Sequence, residues 1–322
     1  VLVRHGGVPV GYVEPPIEDG LVLRPTVERL ATSFDPPTST PTPIEGMVTV
    51  VVCTRDRAAE LDTCLRELRA ITTSMLEFVV VDNAPTDGAT RDLVAGTAEI
   101  DPRFRYVCEP RPGLSRARNR GLAEARGRFV AFTDDDVAVD PGWVEGLLVG
   151  FARRDDVACV TGLVATAAVD GPVEAYFDAR AAAWSTRFTP RVFDLETREG
   201  VLYPYTPALF GTGANFALDM DVMRGYRFDE ALGAGTRTRG GEDVDLFVGV
   251  VRAGHALAYE PSALVWHRHR ADVRDLRKQM YGYGTGLAAF IAKCLATPDM
   301  RREVLRRVLP GLAHLRTMHT HA

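Results

Sequence analysis

Four short apolar runs constrain this chain more than any other feature. Val48-Thr-Val-Val-Val-Cys53, Phe78-Val-Val-Val81, Phe104-Arg-Tyr-Val-Cys108 and Phe129-Val-Ala-Phe132 are rich in β-branched and aromatic residues and too short for helices. The stretch after the first run has helical period, with Leu61, Cys64, Leu65 and Leu68 at i, i+3, i+4 and i+7 and Asp56 as the expected N-cap. Further helices are expected near residues 89–96 and over 116–125, the second capped by Ser115. Continuous apolar strands without alternation fit a parallel sheet buried on both faces. The order βαβαβαβ therefore predicts an α/β fold, a mostly parallel central sheet flanked by helices.

Ligands of such sheets bind beyond the carboxyl ends of the strands. Three polar clusters fall there: Thr54-Arg55-Asp56, Asp82-Asn83 and Asp134-Asp135-Asp136. Three carboxylates at the end of a buried strand repel one another unless a cation or hydrogen-bond donors lie among them. Their hard oxygens suit Mg²⁺ or Mn²⁺, ions that commonly bring a phosphate. The plainer alternative, a solvated acidic loop, fits poorly with a position directly after Phe129–Phe132. Asp134 and Asp136 are two apart, so an extended backbone would send both to one face. The segment Arg111-Pro-Gly-Leu-Ser115-Arg-Ala-Arg118-Asn119 opens a helix, and its free N–H groups and arginines suit an anion.

The second half adds a strand at Val157–Val164, a helix near Glu174–Trp184 and an irregular aromatic segment with Tyr203 and Tyr205. Gly211-Thr-Gly213-Ala214-Asn215-Phe turns into another strand. Gly240-Gly241-Glu242-Asp243 precedes a helix over 244–253, and Ala263–His267 forms a last strand. Glu242 and Asp243 are candidate catalytic carboxylates, although acidic residues favour a helix N-terminus for electrostatic reasons alone. His267 is a candidate metal ligand beside the acidic triplet, with Arg268 and Arg270 suited to a diphosphate; a merely packed histidine is the alternative. A long helix over 272–296 carries Met280, Tyr283, Leu287, Phe290 and Ile291 on one face. That face fits core covering, a homodimer contact or a membrane surface, core covering being expected.

Residues 1–46 differ in character. Two short strands flank Gly6-Gly7, and Ser33–Pro43 is a Pro/Thr-rich linker. The expected organisation is a small N-terminal β appendage and linker over 1–46, a main domain over 47–296 and a helical tail over 297–322. The main domain divides into a nucleotide-binding half, 47–140, and an acceptor half, 141–270.

Composition serves mainly to exclude. A net charge of −5 argues against nucleic acid as a partner. No apolar run is long enough to span a bilayer, and residues 1–4 lack the core of a secretory leader. Five scattered cysteines read as buried free thiols in a reducing compartment. The expected location is cytoplasmic, or peripheral to the inner face of the membrane.

Taken in order, these motifs resemble the family 2 glycosyltransferases of the GT-A fold. The likeness rests on Val-Val-Val-Cys53-Thr54-Arg55-Asp56-Arg57, Val-Val-Val-Asp82-Asn83, Arg111-Pro-Gly-Leu-Ser-Arg-Ala-Arg118-Asn119-Arg-Gly121, Thr-Asp134-Asp135-Asp136, Gly211-Thr-Gly-Ala-Asn215-Phe, Gly241-Glu242-Asp243 and Trp266-His267. It covers residues 47 to 295 and leaves 1–46 outside. The resemblance implies an inverting transfer of a sugar from a nucleoside-diphosphate sugar, uridine diphosphate first among them, to the hydroxyl of a glycan, a lipid-linked acceptor or a small molecule. Mn²⁺ or Mg²⁺ would assist. By motif, Thr54 and Arg55 would touch the nucleobase region, Asp82 the base and Asp134 the ribose, with Arg118 helping to hold the nucleotide. Their neighbours Asp56, Asn83, Arg111 and Asp135 are assigned to the same nucleotide side. Asp136 would bind the metal with His267, although the Asp-Asp-Asp run leaves Asp135 open for that role. Gly213, Ala214 and Asn215 would line the sugar and acceptor region. Asp243 would be the general base and Glu242 a supporting contact.

Two other functions use similar parts. A sugar-phosphate nucleotidyltransferase would need a glycine-rich basic loop after the first strand, and Thr54-Arg-Asp-Arg-Ala lacks glycine. A non-catalytic nucleotide-sugar-binding protein would need a broken base, and Asp243 is present.

Overall fold

The structure is a computed structural model that describes residues 1–18, 21–37, 39–73, 75–197, 199–206 and 208–318, with backbone alone at 18, 181–185, 309 and 311–318. The chain opens with strands β1 (Leu2–His5) and β2 (Val8–Tyr12), paired antiparallel around Gly6-Gly7. Two-residue strands β3 (Ile17–Glu18) and β4 (Leu21–Val22) and helix α1 (Arg24–Ala31) precede the linker. The βα alternation follows: β5 (Val48–Thr54), α2 (Ala58–Arg69), β6 (Leu76–Asn83), α3 (Ala89–Ile100), β7 (Phe104–Glu109), α4 (Leu114–Glu124) and β8 (Phe129–Asp134). Then come β9 (Val137–Val139), α5 (Trp143–Phe151), β10 (Val157–Thr166), α6 (Pro172–Ser185), β11 (Arg191–Phe193), β12 (Asn215–Asp219), α7 (Glu242–Arg252), β13 (Ala256–His267), α8 (Val273–Ala296) and α9 (Pro298–Met318).

Among the described residues one large sheet runs in the order β11-β13-β10-β12-β8-β5-β6-β7, with β9 pairing β13. Pairs β8–β5, β5–β6 and β6–β7 are parallel, as the unbroken apolar runs predict, and β10–β13 is parallel too. Strand β12 runs antiparallel between β8 and β10 and joins the two parallel halves. Both faces are covered. Val50, Val52, Phe78 and Val80 point into one apolar layer with α2 and α5, while Val51, Val79, Val81 and Phe132 point into the other with α4 and α7. Alternate residues of one strand thus serve opposite layers.

Local details depart from the sequence expectations. Helix α4 starts at Leu114 after Gly113 and has no side-chain cap; the Ser115 hydroxyl donates instead to Leu232 O at 2.7 Å. Asp56 is not the cap of α2, whose N-cap position is Arg57. Asp56 has φ 53°, and its carboxylate accepts from Thr86 N and Oγ1 at 2.9 and 3.0 Å, tying two strand-end loops together. Beyond β8 the chain turns at Asp135-Asp136, so strict alternation ends at Asp134 and the outer two carboxylates meet different partners.

The N-terminal hairpin is not isolated. Leu2 and Tyr12 pack against Leu163, Leu264 and Trp266, Tyr12 meets Phe188 edge-on at 5.2 Å, and the Arg4 guanidinium pairs with Asp140. Helices α8 and α9 cover the second layer through Phe290, Cys294 and Met300, the expected core-covering role.

Candidate active site

The carboxyl ends of β5 and β8, the start of α7 and the flank of α8 enclose a cavity of about 740 Å³. Its lining includes Thr54, Arg55, Asn83, Arg118, Asp134, Asp135, Asp136, Gly213, Ala214, Glu242, Asp243 and His267. Four residues assigned to the site from sequence do not line it: Asp56, Asp82, Arg111 and Asn215.

The acidic triplet is resolved into three environments. Asp134 ends β8 and faces the cavity, with Arg118 Nη2 3.9 Å away. Enclosure by protein pushes its pKa up to about 7, against the pull of Arg118. Asp135 turns inward, accepting from Thr54 Oγ1 at 2.7 Å and from Arg57 Nη1 at 2.6 Å. Burial raises it to about 6 although both donors favour the charged form. Asp136 accepts from Arg57 Nη2 at 3.1 Å and Arg270 Nη2 at 3.4 Å, and its Oδ1 lies 3.6 Å from His267 Nε2. Burial would raise Asp136, but His267 and the two arginines outweigh it and hold the carboxylate below its usual range. Burial lowers His267 in turn, against the opposing pull of Asp136.

That geometry fits a divalent cation only in part from protein. No group of three or more His, Cys, Asp or Glu arranged for a metal occurs among the described residues. One carboxylate and one imidazole face each other, and a hard cation at such a pair would complete its shell with diphosphate oxygens and water, the usual habit of Mg²⁺. Asp135 turns away towards Thr54 and Arg57, whereas Asp136 faces His267.

Opposing charge is built into the first turn of α7. Gly241 has φ 92°, and a Cβ there would lie 2.6 Å from Gly286 O of α8. Only glycine lets the turn enter α7 this close to α8. Asp243 follows, its Oδ2 accepting from Gly213 N at 3.0 Å and its Oδ1 from Val244 N at 2.8 Å. These bonds aim the carboxylate along the cavity wall beside Gly213 and Ala214. Glu242 is buried; its Oε1 accepts from Arg118 Nη1 at 3.0 Å, and its Oε2 has no partner among the described residues. Arg118 is buried with it, donates to Gly213 O at 2.9 Å and lies over the rings of Phe216 and Phe228. It braces the site from beneath.

The remaining assigned residues also make bonds to the frame. Asn83 donates to Arg111 O at 2.8 Å and accepts from Gly113 N at 2.8 Å, fixing the loop before α4. Arg111 itself pairs with Glu109 and Glu230 outside the cavity. Asp82 is fully buried; Tyr106 donates to its Oδ2 at 3.0 Å and its Oδ1 is unpartnered among the described residues. Asn215 accepts from Trp143 Nε1 and donates to Leu163 O and Ala263 O, locking β12 to β10 and β13. Tyr203 and Phe210 pack in the core.

Sequence reasoning passed over Arg57 as a site residue, although it bridges two of the three carboxylates. A cation immediately after the first strand-end cluster was the available signal. It also passed over the Thr166–Asp178–His269 cluster at the cavity wall, where Thr166 Oγ1 lies 2.9 Å from His269 Nε2. No spacing joins those three in sequence.

Comparison with known proteins shows the family and the fold. The sequence model of Glycosyl transferase family 2 matches residues 49–226. The chain is 32% identical over 241 residues to a pre-mycofactocin glycosyltransferase of Mycobacterium tuberculosis, covering 73% of this chain and 46% of that protein. It is 32% identical over 252 residues to the succinoglycan biosynthesis protein ExoM of Rhizobium meliloti, covering 74% and 72%. The chain thus spans about half the length of the first relative and most of the second. Among solved structures, the fold is similar to a mannosyltransferase of Pyrobaculum calidifontis in complex with GDP-Man and Mn²⁺, with TM-score 0.58, 20% identity and coverage of 84% and 70%. It is also similar to GalNAc-T7 with UDP, GalNAc and Mn²⁺, with TM-score 0.52, 15% identity and coverage of 70% and 44%. By the extent of the sequence match and by the GT-A architecture around this cavity, the chain belongs to glycosyl transferase family 2.

Proposed function

We propose that this protein transfers a sugar from a nucleoside-diphosphate sugar to an acceptor hydroxyl with inversion at the anomeric carbon. One observation carries the reading: a single cavity holds both the Asp136–His267 pair with Arg57 and Arg270, and the carboxylate of Asp243. The first group suits a departing diphosphate and the second a reacting hydroxyl.

Asp243 takes the proton from the acceptor hydroxyl as its oxygen bonds to the anomeric carbon and the bond to the diphosphate oxygen breaks. A single displacement of this kind inverts the centre. Arg57 and Arg270 supply fixed positive charge for the leaving diphosphate. Asp136 and His267 would hold Mn²⁺ or Mg²⁺, which when bound neutralises charge on that diphosphate. Thr54, Arg55, Asn83 and Asp134 form the nucleotide side, and Gly213 and Ala214 the sugar and acceptor side. Asp56, Asp82, Arg111, Asn215, Arg118 and Glu242 hold these walls in place. Five free cysteines, three of them buried, support a reducing cytoplasmic compartment.

Calorimetric titration of uridine, guanosine and thymidine diphosphates, with and without Mn²⁺, tests the reading. One of them, uridine diphosphate first, should bind more tightly with Mn²⁺ than without it. Failure of all three, or pyrophosphate release from a nucleoside triphosphate and a sugar phosphate, would overturn it.

A further inference from the structure

Helix α8 has a role that core covering does not explain. Its inner side packs through Phe290 and Cys294, and Gly282 and Gly286 press onto Gly240-Gly241 at the entry to α7. Met280, Gly284 and Leu287 line the cavity. Its outer side is apolar and exposed: Tyr281 is 61% exposed, Ile291 42% and Leu295 37%. No charged residue occurs from Gln279 to Ala292. An exposed helix face normally carries charge.

Cations bracket this face. Residues 268–308 hold ten Arg and Lys against four Asp and Glu, whereas the whole chain holds 38 against 43. Arg274, Arg277, Arg301, Arg302 and Arg306 are exposed, and none has a carboxylate partner among the described residues. At the N-terminal end of α8 an open hollow of about 590 Å³ is lined by Arg239, Asp272, Val273, Arg274, Arg277, Lys278 and Tyr281. An apolar helical face with basic residues at its ends is the pattern of a helix lying in a membrane interface, its cations meeting anionic headgroups.

We infer that the outer face of α8 docks on an anionic lipid bilayer, and that the acceptor is an amphiphile whose hydroxyl enters the cavity beside Met280, Gly284 and Leu287. The inference rests on the proposed transferase reading for the identity of that cavity. Charge complementarity selects the occupant: a second copy of this chain would set the same cations against one another, whereas an anionic surface neutralises them. The docked helix is the one that contacts the Gly240-Gly241 turn, so the surface that presents the acceptor also supports the segment carrying Asp243.

Vesicle co-sedimentation of the full chain tests this. Vesicles of phosphatidylcholine mixed with phosphatidylglycerol should retain the protein, vesicles of phosphatidylcholine alone should not, and high salt should release it. The triple variant Arg274→Gln/Arg277→Gln/Lys278→Gln should bind the mixed vesicles roughly 100-fold more weakly, since each surface cation contributes about 1 kcal/mol. The variant Ile291→Ser/Leu295→Ser should weaken binding while leaving the secondary structure unchanged by circular dichroism. Nucleoside-diphosphate affinity, measured without vesicles, should be the same in all these proteins. Loss of that affinity in the parent chain would instead remove the transferase reading. Equal binding to both vesicle types, no binding to either, or a dimer in sedimentation velocity that Ile291→Ser/Leu295→Ser dissolves would overturn the membrane assignment.

Discussion

Arg118 and Glu242 meet at 3.0 Å across 124 residues of sequence, joining α4, the helix that follows β7, to the helix that carries Asp243. The pair is almost fully buried, with side-chain exposures of 3% and 8%. Burial pushes Glu242 towards its neutral form while Arg118 pulls it back. Breaking such a pair leaves an uncompensated buried charge.

Arg118→Met should therefore destabilise the fold by about 3–5 kcal/mol. Arg118→Met/Glu242→Gln should recover part of that loss, because the second change removes the stranded carboxylate. Urea denaturation of the three proteins measures it. Equal stability of Arg118→Met and the parent would show that the pair contributes nothing to the frame.

Gly286→Ala should reduce turnover far more than stability. A Cβ at Gly286 would lie 2.5 Å from Gly240 C and 2.8 Å from Gly241 N, forcing the entry to α7 outward. A displacement of about 1 Å at a catalytic group can cost roughly 100-fold in rate. Steady-state kinetics beside a thermal melt separates the two effects, and an unchanged kcat would contradict the account.

Much of this arrangement was legible before any coordinates. The runs Val48–Cys53, Phe78–Val81 and Phe129–Phe132 specify buried parallel strands, and their polar ends mark the cavity. The rest depended on contacts between distant segments. Asn215 sits in a motif that reads as ligand-binding, yet its amide is taken up by Trp143, Leu163 and Ala263, because strand-end residues answer to neighbouring strands as well as to ligands. The pairing of Gly282 and Gly286 with Gly240-Gly241 needed the docking of α8, which periodicity alone does not orient. Strand β12 gave a clear strand signal but no hint of its antiparallel direction.

Asp136→Asn and His267→Ala should each remove most of the Mn²⁺-dependent gain in nucleoside-diphosphate affinity, by roughly 10-fold or more. Calorimetry with and without Mn²⁺ reads the effect. Asp135→Asn should instead lower stability, since Asp135 bonds Thr54 and Arg57. If Asp135→Asn alone abolished metal dependence, the ligand assignment within the triplet would be reversed.

Acid should weaken the fold partly through Asp101. Hydrogen bonds from Arg103, the shortest 2.7 Å, hold its carboxyl below the usual range. A folded-state pKa below the unfolded value of about 3.9 gives stability present above that pH and lost as pH falls through the folded value. Asp101→Asn should flatten this part of the acid decline in urea midpoints below about pH 4. An unaltered acid profile in the variant would falsify the assignment.

On the proposed mechanism Asp243 accepts the acceptor's proton in the cavity that would hold the nucleotide. Asp243→Asn keeps the shape and the acceptor oxygen for Gly213 N but removes the base. The decisive measurement is its turnover beside its nucleoside-diphosphate affinity. A fall in kcat of roughly 100-fold or more with affinity preserved is the predicted result. Turnover near the parent's would contradict the account and move the base elsewhere in the cavity.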